Sequence, residues 1–199
     1  MTTDMDIIYD RRSIRKFRPE PVPDASIRRM LEAAHAAPSA HNTRPWRFVV
    51  LRDEGARRSL AEGMAGAYTR DAVADGVDPE KIRARNERSV ERIAAAPLAI
   101  LACMDEDCVP ANAGRSTDGE RLLLIQSVAA AVEDLLLAAV AEKLGACWLC
   151  APAFCPRSVS ETLALPNNWI AQALILIGFP AEAPAKPEGR ALDEVVRWR

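Results

Sequence analysis

The sequence of 199 residues lacks the short motifs that mark the common catalytic classes. It contains no G-x-S-x-G elbow of serine hydrolases, no P-loop, no G-x-G-x-x-G fingerprint and no H-E-x-x-H zinc motif. It has only two histidines, His35 and His41, too few to indicate a Ser-His-Asp triad without further support. If the chain is an enzyme, a bound cofactor is expected to supply the chemistry.

An excess of charge of one sign is also missing, because 26 basic residues oppose 28 acidic ones and the net charge is −2. This balance argues against a dedicated nucleic-acid binder. The first six residues carry two aspartates and no apolar run, so no signal peptide is visible and we expect a cytoplasmic location.

No long apolar run is free of polar groups. The most apolar stretch, residues 122–144, is interrupted by Gln126, Glu133, Asp134, Glu142 and Lys143. A membrane span rarely tolerates so many ionisable groups. We therefore predict no membrane association, and a long buried helix in a core or at a subunit interface.

The five cysteines form an odd count, which argues against a disulfide scaffold. Cys147 and Cys150 form a C-x-x-C pair, a spacing that suits a redox dithiol or half of a zinc site. In a strand, however, two residues three apart point to opposite faces. The other cysteines supply no second pair, so we interpret the cysteines as structural and predict no metal.

Hydrophobic periodicity and turn residues predict one α+β domain over residues 1–199, with four or five strands wrapped by helices. The predicted strands are 47–52, 98–104, 146–150 and 171–178. The predicted helices are 24–37, 53–64, 79–96, 119–145 and 156–164, with 66–76 as a loop. Because helix 79–96 is highly charged, we expect it on the outside, as a flap or lid.

Positive charge is concentrated at residues 11–18, which hold five cationic side chains. Arg11, Ser13 and Arg15 alternate, so in an extended conformation they point the same way. Two guanidinium groups and a hydroxyl can bracket a phosphate. The alternatives are a solvated basic stretch, or a weak nucleic-acid or targeting patch.

A second candidate is the loop at residues 37–48, between a predicted helix and a predicted strand. Its prolines, serine, histidine and asparagine exclude a helix and supply short donors and acceptors. Loops of this composition set on rigid elements often contact ligands. The alternative is a plain connector in which Trp46 anchors the core.

Five segments, taken in order, resemble those of the nitroreductase superfamily of FMN-dependent oxidoreductases. They are RRSIR at 11–15, PSAHNTRPWRF at 38–48, LGACWL at 144–149, the LP and ALILIGFPAE segments at 165–166 and 173–182, and GRALDEVVRW at 189–198. The resemblance implies a mostly antiparallel sheet of four to five strands flanked by helices, in an intertwined homodimer. It also implies a helical lid insert around 65–96 and a C-terminal extension around 180–199.

The resemblance further implies that FMN binds at the dimer interface and that no other catalytic residue is needed. The residues expected at its phosphate are Arg11, Arg12, Ser13, Arg15 and Arg190. Those expected to reach the flavin ring from the partner subunit are Pro38, Ser39, Ala40 and Asn42. Those expected beside the ring are Cys150, Ala151 and Pro152. The chain departs from the family pattern at Arg44, where glutamine is usual, and at Ala191, where proline is usual.

The implied activity is hydride transfer by a ping-pong reaction from NAD(P)H to a nitro compound, quinone or enone. Thr43–Pro45, the charged insert and Ala146–Trp148 also resemble the flavin domain of enzymes that build the deazaflavin coenzyme. The alternatives are therefore reduction of an unsaturated precursor of that coenzyme, or flavin binding and storage without turnover. The sequence leaves both the donor and the acceptor open.

Overall fold

Four strands form the centre of the molecule in the computed structural model, which describes residues 5–111, 117–186 and 189–199. The strands are β1 (Trp46–Leu51), β2 (Leu98–Asp105), β3 (Gly145–Leu149) and β4 (Trp169–Gly178). The helices in the same ranges are α1 (Asp6–Asp10), α2 (Asp24–His35), α3 (Glu54–Ala74), α4 (Pro79–Ala94), α5 (Thr117–Ala141), α6 (Ala151–Phe154), α7 (Pro156–Leu163) and α8 (Leu192–Val195). Short 3₁₀ turns cover Ala40–Asn42 and Glu106–Cys108.

The sheet has the order β1-β2-β4-β3, and each neighbouring pair is antiparallel. This confirms the predicted α+β fold with a four-stranded sheet. The two central strands are predominantly apolar runs, and every residue of β2 is buried. Strands covered on both faces need such runs, whereas β1 and β3 lie at the edges.

Helices cover both faces of the sheet because side chains alternate along each strand. Ile100 and Ile175 belong to the apolar cluster formed with α2 and α5. Leu101 and Leu174 belong to the cluster formed with α3, α4 and α7. The sheet is therefore the middle layer of three.

Helix α5 is the long apolar helix predicted from residues 122–144. By length and composition it could cross a membrane, with a mean hydropathy of 1.9 in its most apolar window. Leu124, Val128 and Leu135 are nonetheless buried in the core between α2 and the sheet. It is the core helix of this fold, as the sequence predicted.

The prediction of a loop at 66–76 is wrong, because α3 continues to Ala74. Leu60, Met64 and Ala67 follow one side of the helix and are buried, so tertiary packing extends it past Gly66. The predicted strand 146–150 also shifts, to Gly145–Leu149.

Helices α3 and α4 form a hairpin whose inner side belongs to the core, through residues such as Leu60 and Ile93. The buried Arg57 fixes its base by donating to Ala94 O at 3.2 Å and Arg52 O at 2.7 Å. Burial lowers the pKa of the Arg57 guanidinium. The predicted lid role of residues 65–96 stays a prediction.

The basic N-terminal segment follows the edge of β3 and the end of β4. Ile14 N donates to Ala146 O at 2.9 Å, and Arg18 N donates to Phe179 O at 2.8 Å. A Cβ added at Gly145 would lie 2.7 Å from Ile14 Cβ, so only glycine permits this approach. The fold thereby fixes residues 11–18 along one sheet edge.

Candidate functional site

The cationic side chains of residues 11–15 have different neighbours. Arg11 Nε lies 3.4 Å from Glu133 Oε1 on α5. Arg12 folds back onto Tyr9 O at 2.6 Å, and Arg15 donates to Ser13 O at 3.3 Å. In this conformation the three guanidinium groups do not converge on one point.

The backbone of the same segment is held by a residue that the sequence did not single out. Glu182 Oε1 accepts from Arg15 N at 2.7 Å and from Lys16 N at 3.2 Å. A carboxylate that binds two consecutive N–H groups fixes the local conformation strongly. Glu182 therefore positions Arg15 from the segment that follows β4.

Residues 150–152 follow the opposite end of β3. Ser13 pairs with Ala146 near the start of the strand, and Cys150 caps α6 just beyond its end. Ala146 and Cys150 are four residues apart along an extended chain, a distance of about 13 Å. The Ala151 N–H is at the first position of α6, so it has no acceptor within that helix.

Trp148 adds a second unmet donor near this end of β3. Its Nε1 is buried and has no hydrogen-bond partner among residues 5–111, 117–186 and 189–199. Its side chain packs against the cluster on the α5 face. A buried N–H without an acceptor is costly, so an acceptor from a ligand or a second chain would be favourable here.

The loop at residues 38–44 is held in an unusual backbone conformation. His41, Asn42 and Arg44 have φ angles of 52°, 54° and 49°, although none is glycine. Ala40 N donates to Ser127 Oγ at 3.0 Å, and Arg44 N donates to Ser39 Oγ at 3.0 Å. Left-handed residues held by surrounding contacts are common at ligand-binding sites.

The structure brings two of the three predicted groups to one sheet edge and leaves the third at the other. Residues 11–15 and 150–152 flank β3, whereas the loop at 38–44 leads into β1. In the order β1-β2-β4-β3 these edges are three strand spacings apart, about 14 Å. Arg190, the remaining predicted residue, is exposed ahead of α8.

The thiols in the core are poor candidates for redox chemistry. Burial raises the pKa of Cys103 to about 12 and also raises the pKa of Cys147. Such thiols stay protonated at neutral pH and are weak nucleophiles. Cys150 is exposed and lies outside the strand, so it does not face Cys147 as a strand partner.

Three positioning residues were missed in the sequence: Glu133, Ser127 and Glu182. Ser127 carried a signal, because it is one of few polar residues in an apolar run and its hydroxyl points at the 38–44 loop. Glu182 carried none, since it is 167 residues from its partner Arg15.

These features define an α+β protein with a four-stranded antiparallel sheet and a basic segment along one sheet edge. The nitroreductase family model matches residues 8–179, so the chain belongs to the nitroreductase family. It is a nitroreductase-like oxidoreductase, as the resemblance implied.

Three relatives cover most of the chain. A 5,6-dimethylbenzimidazole synthase from Rhodospirillum rubrum is 34% identical over 92% of this chain and 85% of its own length. An NADH dehydrogenase from Thermus thermophilus is 32% identical over 95% and 92%. A Bacillus subtilis protein assigned as an NAD(P)H nitroreductase, YfhC, is 30% identical over 90% and 85%.

Two solved structures share the fold. A protein from Desulfovibrio desulfuricans, assigned as a nitroreductase and solved in complex with FMN, is 28% identical with a TM-score of 0.76. The match includes all of this chain and 98% of that protein. A BluB-like flavoprotein from Clostridium difficile is 23% identical with a TM-score of 0.83, and both chains are covered fully.

Proposed function

We propose that this protein is an FMN-dependent reductase that takes hydride from NAD(P)H and passes it to an electron-poor small molecule. The observation that carries the proposal is the edge of β3, which has cationic residues at one end and unmet N–H donors at the other. The prediction of FMN as cofactor agrees with the family match and with the FMN complex among the solved relatives.

The residues present fit FMN. Arg11, Ser13 and Arg15 lie at the start of β3, where the two arginines would turn from their present partners towards a phosphate, and Arg190 from the tail would add a further charge. At the far end, the N–H groups of Ala151 and Trp148 would meet the polar edge of a flavin ring. The orphaned Trp148 Nε1 is the clearest sign that this place lacks a partner in the chain alone.

When bound, FMN supplies the two-electron chemistry that no side chain here provides. The chain has to bind the phosphate, orient the ring, and stabilise negative charge that develops on it. Arg11 and Arg15 bring positive charge, and fixed N–H groups act without reorganising during reaction. Donor and acceptor would use the same open face in turn, which is the ping-pong order.

The site is proposed to be completed by a second copy of the chain. Pro38, Ser39, Ala40 and Asn42 lie at the opposite sheet edge from Ser13, which supports the proposal that they reach the partner's flavin rather than their own. In the described part of the chain, β1 pairs only with β2 and borders a groove of about 920 Å³. That groove lies between α2 and β1.

The C-terminal tail is the segment proposed to occupy the partner's groove. Leu192, Val195 and Trp198 are 68%, 63% and 84% exposed. Exposed apolar side chains grouped in one short segment are typical of an interaction site. The groove offers Ile27, Leu31 and Phe48 as an apolar lining. This arrangement would make the intertwined homodimer that the family resemblance implies.

The test is reconstitution of purified protein with FMN, followed by anaerobic addition of NADH or NADPH. We expect the yellow absorbance to bleach with a nicotinamide donor and to return when a nitro compound, quinone or enone is added. Protein that takes up no FMN would contradict the proposal. Flavin that binds but never bleaches with any donor would favour the storage function instead.

Two other activities are tested with the same preparation. Bleaching by a reduced deazaflavin but not by NAD(P)H would favour a step in deazaflavin coenzyme biosynthesis. The relative at 34% identity favours a further candidate, formation of 5,6-dimethylbenzimidazole. Chromatography of aerobic incubations with FMN and NADPH would detect that product directly.

A further inference from the structure

A second groove, of about 790 Å³, lies between the C-terminal half of α4 and the basic N-terminal segment. We call it the α4 groove. Four cationic side chains line it, from two separate parts of the chain: Arg15, Lys16, Arg88 and Arg92. The groove is open to solvent, and Arg15 joins it to the β3 edge.

The α4 groove carries an excess of positive charge, because four cationic side chains line it with three acids, Glu87, Glu91 and Glu182. Glu87 pairs with Arg83 at 3.9 Å, and Glu91 pairs with Arg58 at 3.7 Å, both outside the groove. The third acid, Glu182, binds two backbone N–H groups through one oxygen.

The four cations, by contrast, form no salt bridge with any residue in the described ranges. Cationic side chains in excess on a concave surface are suited to an anion, since the surrounding protein focuses their field.

Two of the guanidinium groups line the same groove although they come from different elements. The charges of Arg15 and Arg92 both oppose the rise in the pKa of the Cys147 thiol that burial causes, while Glu182 adds to that rise. Arg92 is on the last turn of α4, and Arg15 is in the extended N-terminal segment. A phosphate between them could receive N–H groups from both sides.

We infer that the α4 groove binds the phosphate groups on the adenylate half of the nicotinamide donor. The inference rests on the proposed function, because it takes NAD(P)H as the donor. The nicotinamide has to reach the flavin ring near Cys150, so the adenylate half is free to extend along the edge past Ser13. There the α4 groove presents Arg88 and Arg92 beyond the residues assigned to the FMN phosphate.

The experiment uses FMN-loaded protein and adenosine 2′,5′-bisphosphate as the probe, with binding measured by calorimetry. We expect Arg88→Gln and Arg92→Gln each to weaken probe binding about fivefold, the size of one partly exposed ion pair. The control is Lys81→Gln, which removes a charge from an exposed position on α4 outside the groove and should leave binding unchanged.

Steady-state kinetics distinguish a site for the nicotinamide donor from a site for any anion. Each variant should raise KM for NADPH, with kcat unchanged, and should leave the KM for reduced nicotinamide mononucleotide unchanged because that donor lacks the adenylate. Flavin content should stay at the wild-type level.

Unchanged probe binding in both variants would overturn the inference. If flavin were lost as well, these arginines would be assigned to FMN instead. Weakened probe binding in a protein that oxidises no nicotinamide donor would overturn the proposed function and the donor assignment, leaving only an anion site.

Discussion

The two edges of the sheet differ in the chain segments and side chains that lie along them. At the β3 edge the N-terminal segment is fixed by backbone hydrogen bonds and brings in cationic side chains. At the β1 edge a loop in left-handed conformations precedes the strand, which borders an apolar groove. We propose that the first edge binds a phosphate and that the second contacts a planar or apolar partner. Since the two edges lie on opposite sides of one sheet, the proposed site is shared between two chains.

The positive charge at the β3 edge is proposed to hold the FMN phosphate, so its removal should have a large effect on flavin binding. Replacing Arg11 and Arg15 together by alanine removes two charge-assisted contacts to the phosphate, and we expect FMN affinity to fall about 100-fold. Flavin per chain after gel filtration and titration of apoprotein would measure this. The matched control is Arg83→Ala with Arg157→Ala, which removes the same charge from exposed positions on α4 and α7. Stoichiometric flavin in the first variant would refute the phosphate assignment.

The close approach at the β3 edge can be tested by crowding it. A methyl at Gly145 would press on Ile14 Cβ, Cγ1 and Cγ2 at 2.7–2.8 Å, so we expect Gly145→Ala to lower the free energy of unfolding by about 2 kcal/mol. Displacing Ile14 should also weaken FMN binding. Chemical denaturation measures the loss of stability. Gly119→Ala on α5, where nothing lies within 4 Å, is the control and should not destabilise.

The β1 edge is probed through the tail proposed to cover it. Trp198 is 84% exposed in the chain, and we expect Trp198→Ser to weaken dimerisation about tenfold if it docks on the partner. Sedimentation over a range of concentrations gives the dissociation constant. Val73→Ser removes another exposed apolar group, on α3, and serves as the control. An unaltered dimer in the tail variant would place the tail elsewhere.

The smallest effect concerns the contact that holds α2 against the end of α5. A hydrogen bond from Arg29, and then one from Ser26, lower the pKa of Glu142 from 4.5 to about 2. A carboxylate with a lowered pKa stabilises the fold above its ordinary pKa, and that contribution is lost as the pH falls from 4.5 towards 2.

We therefore expect Glu142→Gln to remove part of the acid sensitivity of unfolding in that window. Arg157 and Glu161 form an exposed pair within α7, so Glu161→Gln is the control. Identical acid profiles for wild type and Glu142→Gln would contradict the assignment.

The parts of the fold that the sequence predicted well are those with a single dominant signal. Strands β2 and β4 are predominantly apolar, and α4 begins at a proline after an aspartate cap. The second half of α3 was missed because its alanines and Gly66 give a weak pattern, and the helix depends on packing against α4. Local sequence does not encode such tertiary support.

The candidate site also has parts that the sequence indicated and parts that it did not. The residue types at 11–15 and 38–42 indicated a ligand, but their placement at opposite edges depends on the strand order, which no local pattern specifies. The left-handed His41 and Arg44 carried no signal either, since glycine usually marks such positions. The anchoring role of Glu182 depends on a long-range contact.

The most direct test of the shared site is complementation between two inactive variants. One chain carries Arg11→Ala and Arg15→Ala, and the other carries Ser39→Ala and Asn42→Ala, so each damages a different edge. Neither should hold FMN alone. After the two are unfolded together and refolded as a mixture, heterodimers would contain one site with both halves intact. We predict flavin and NAD(P)H oxidation at about a quarter of the wild-type level per chain. A mixture that stays free of flavin would contradict a site built from the opposite edges of two chains.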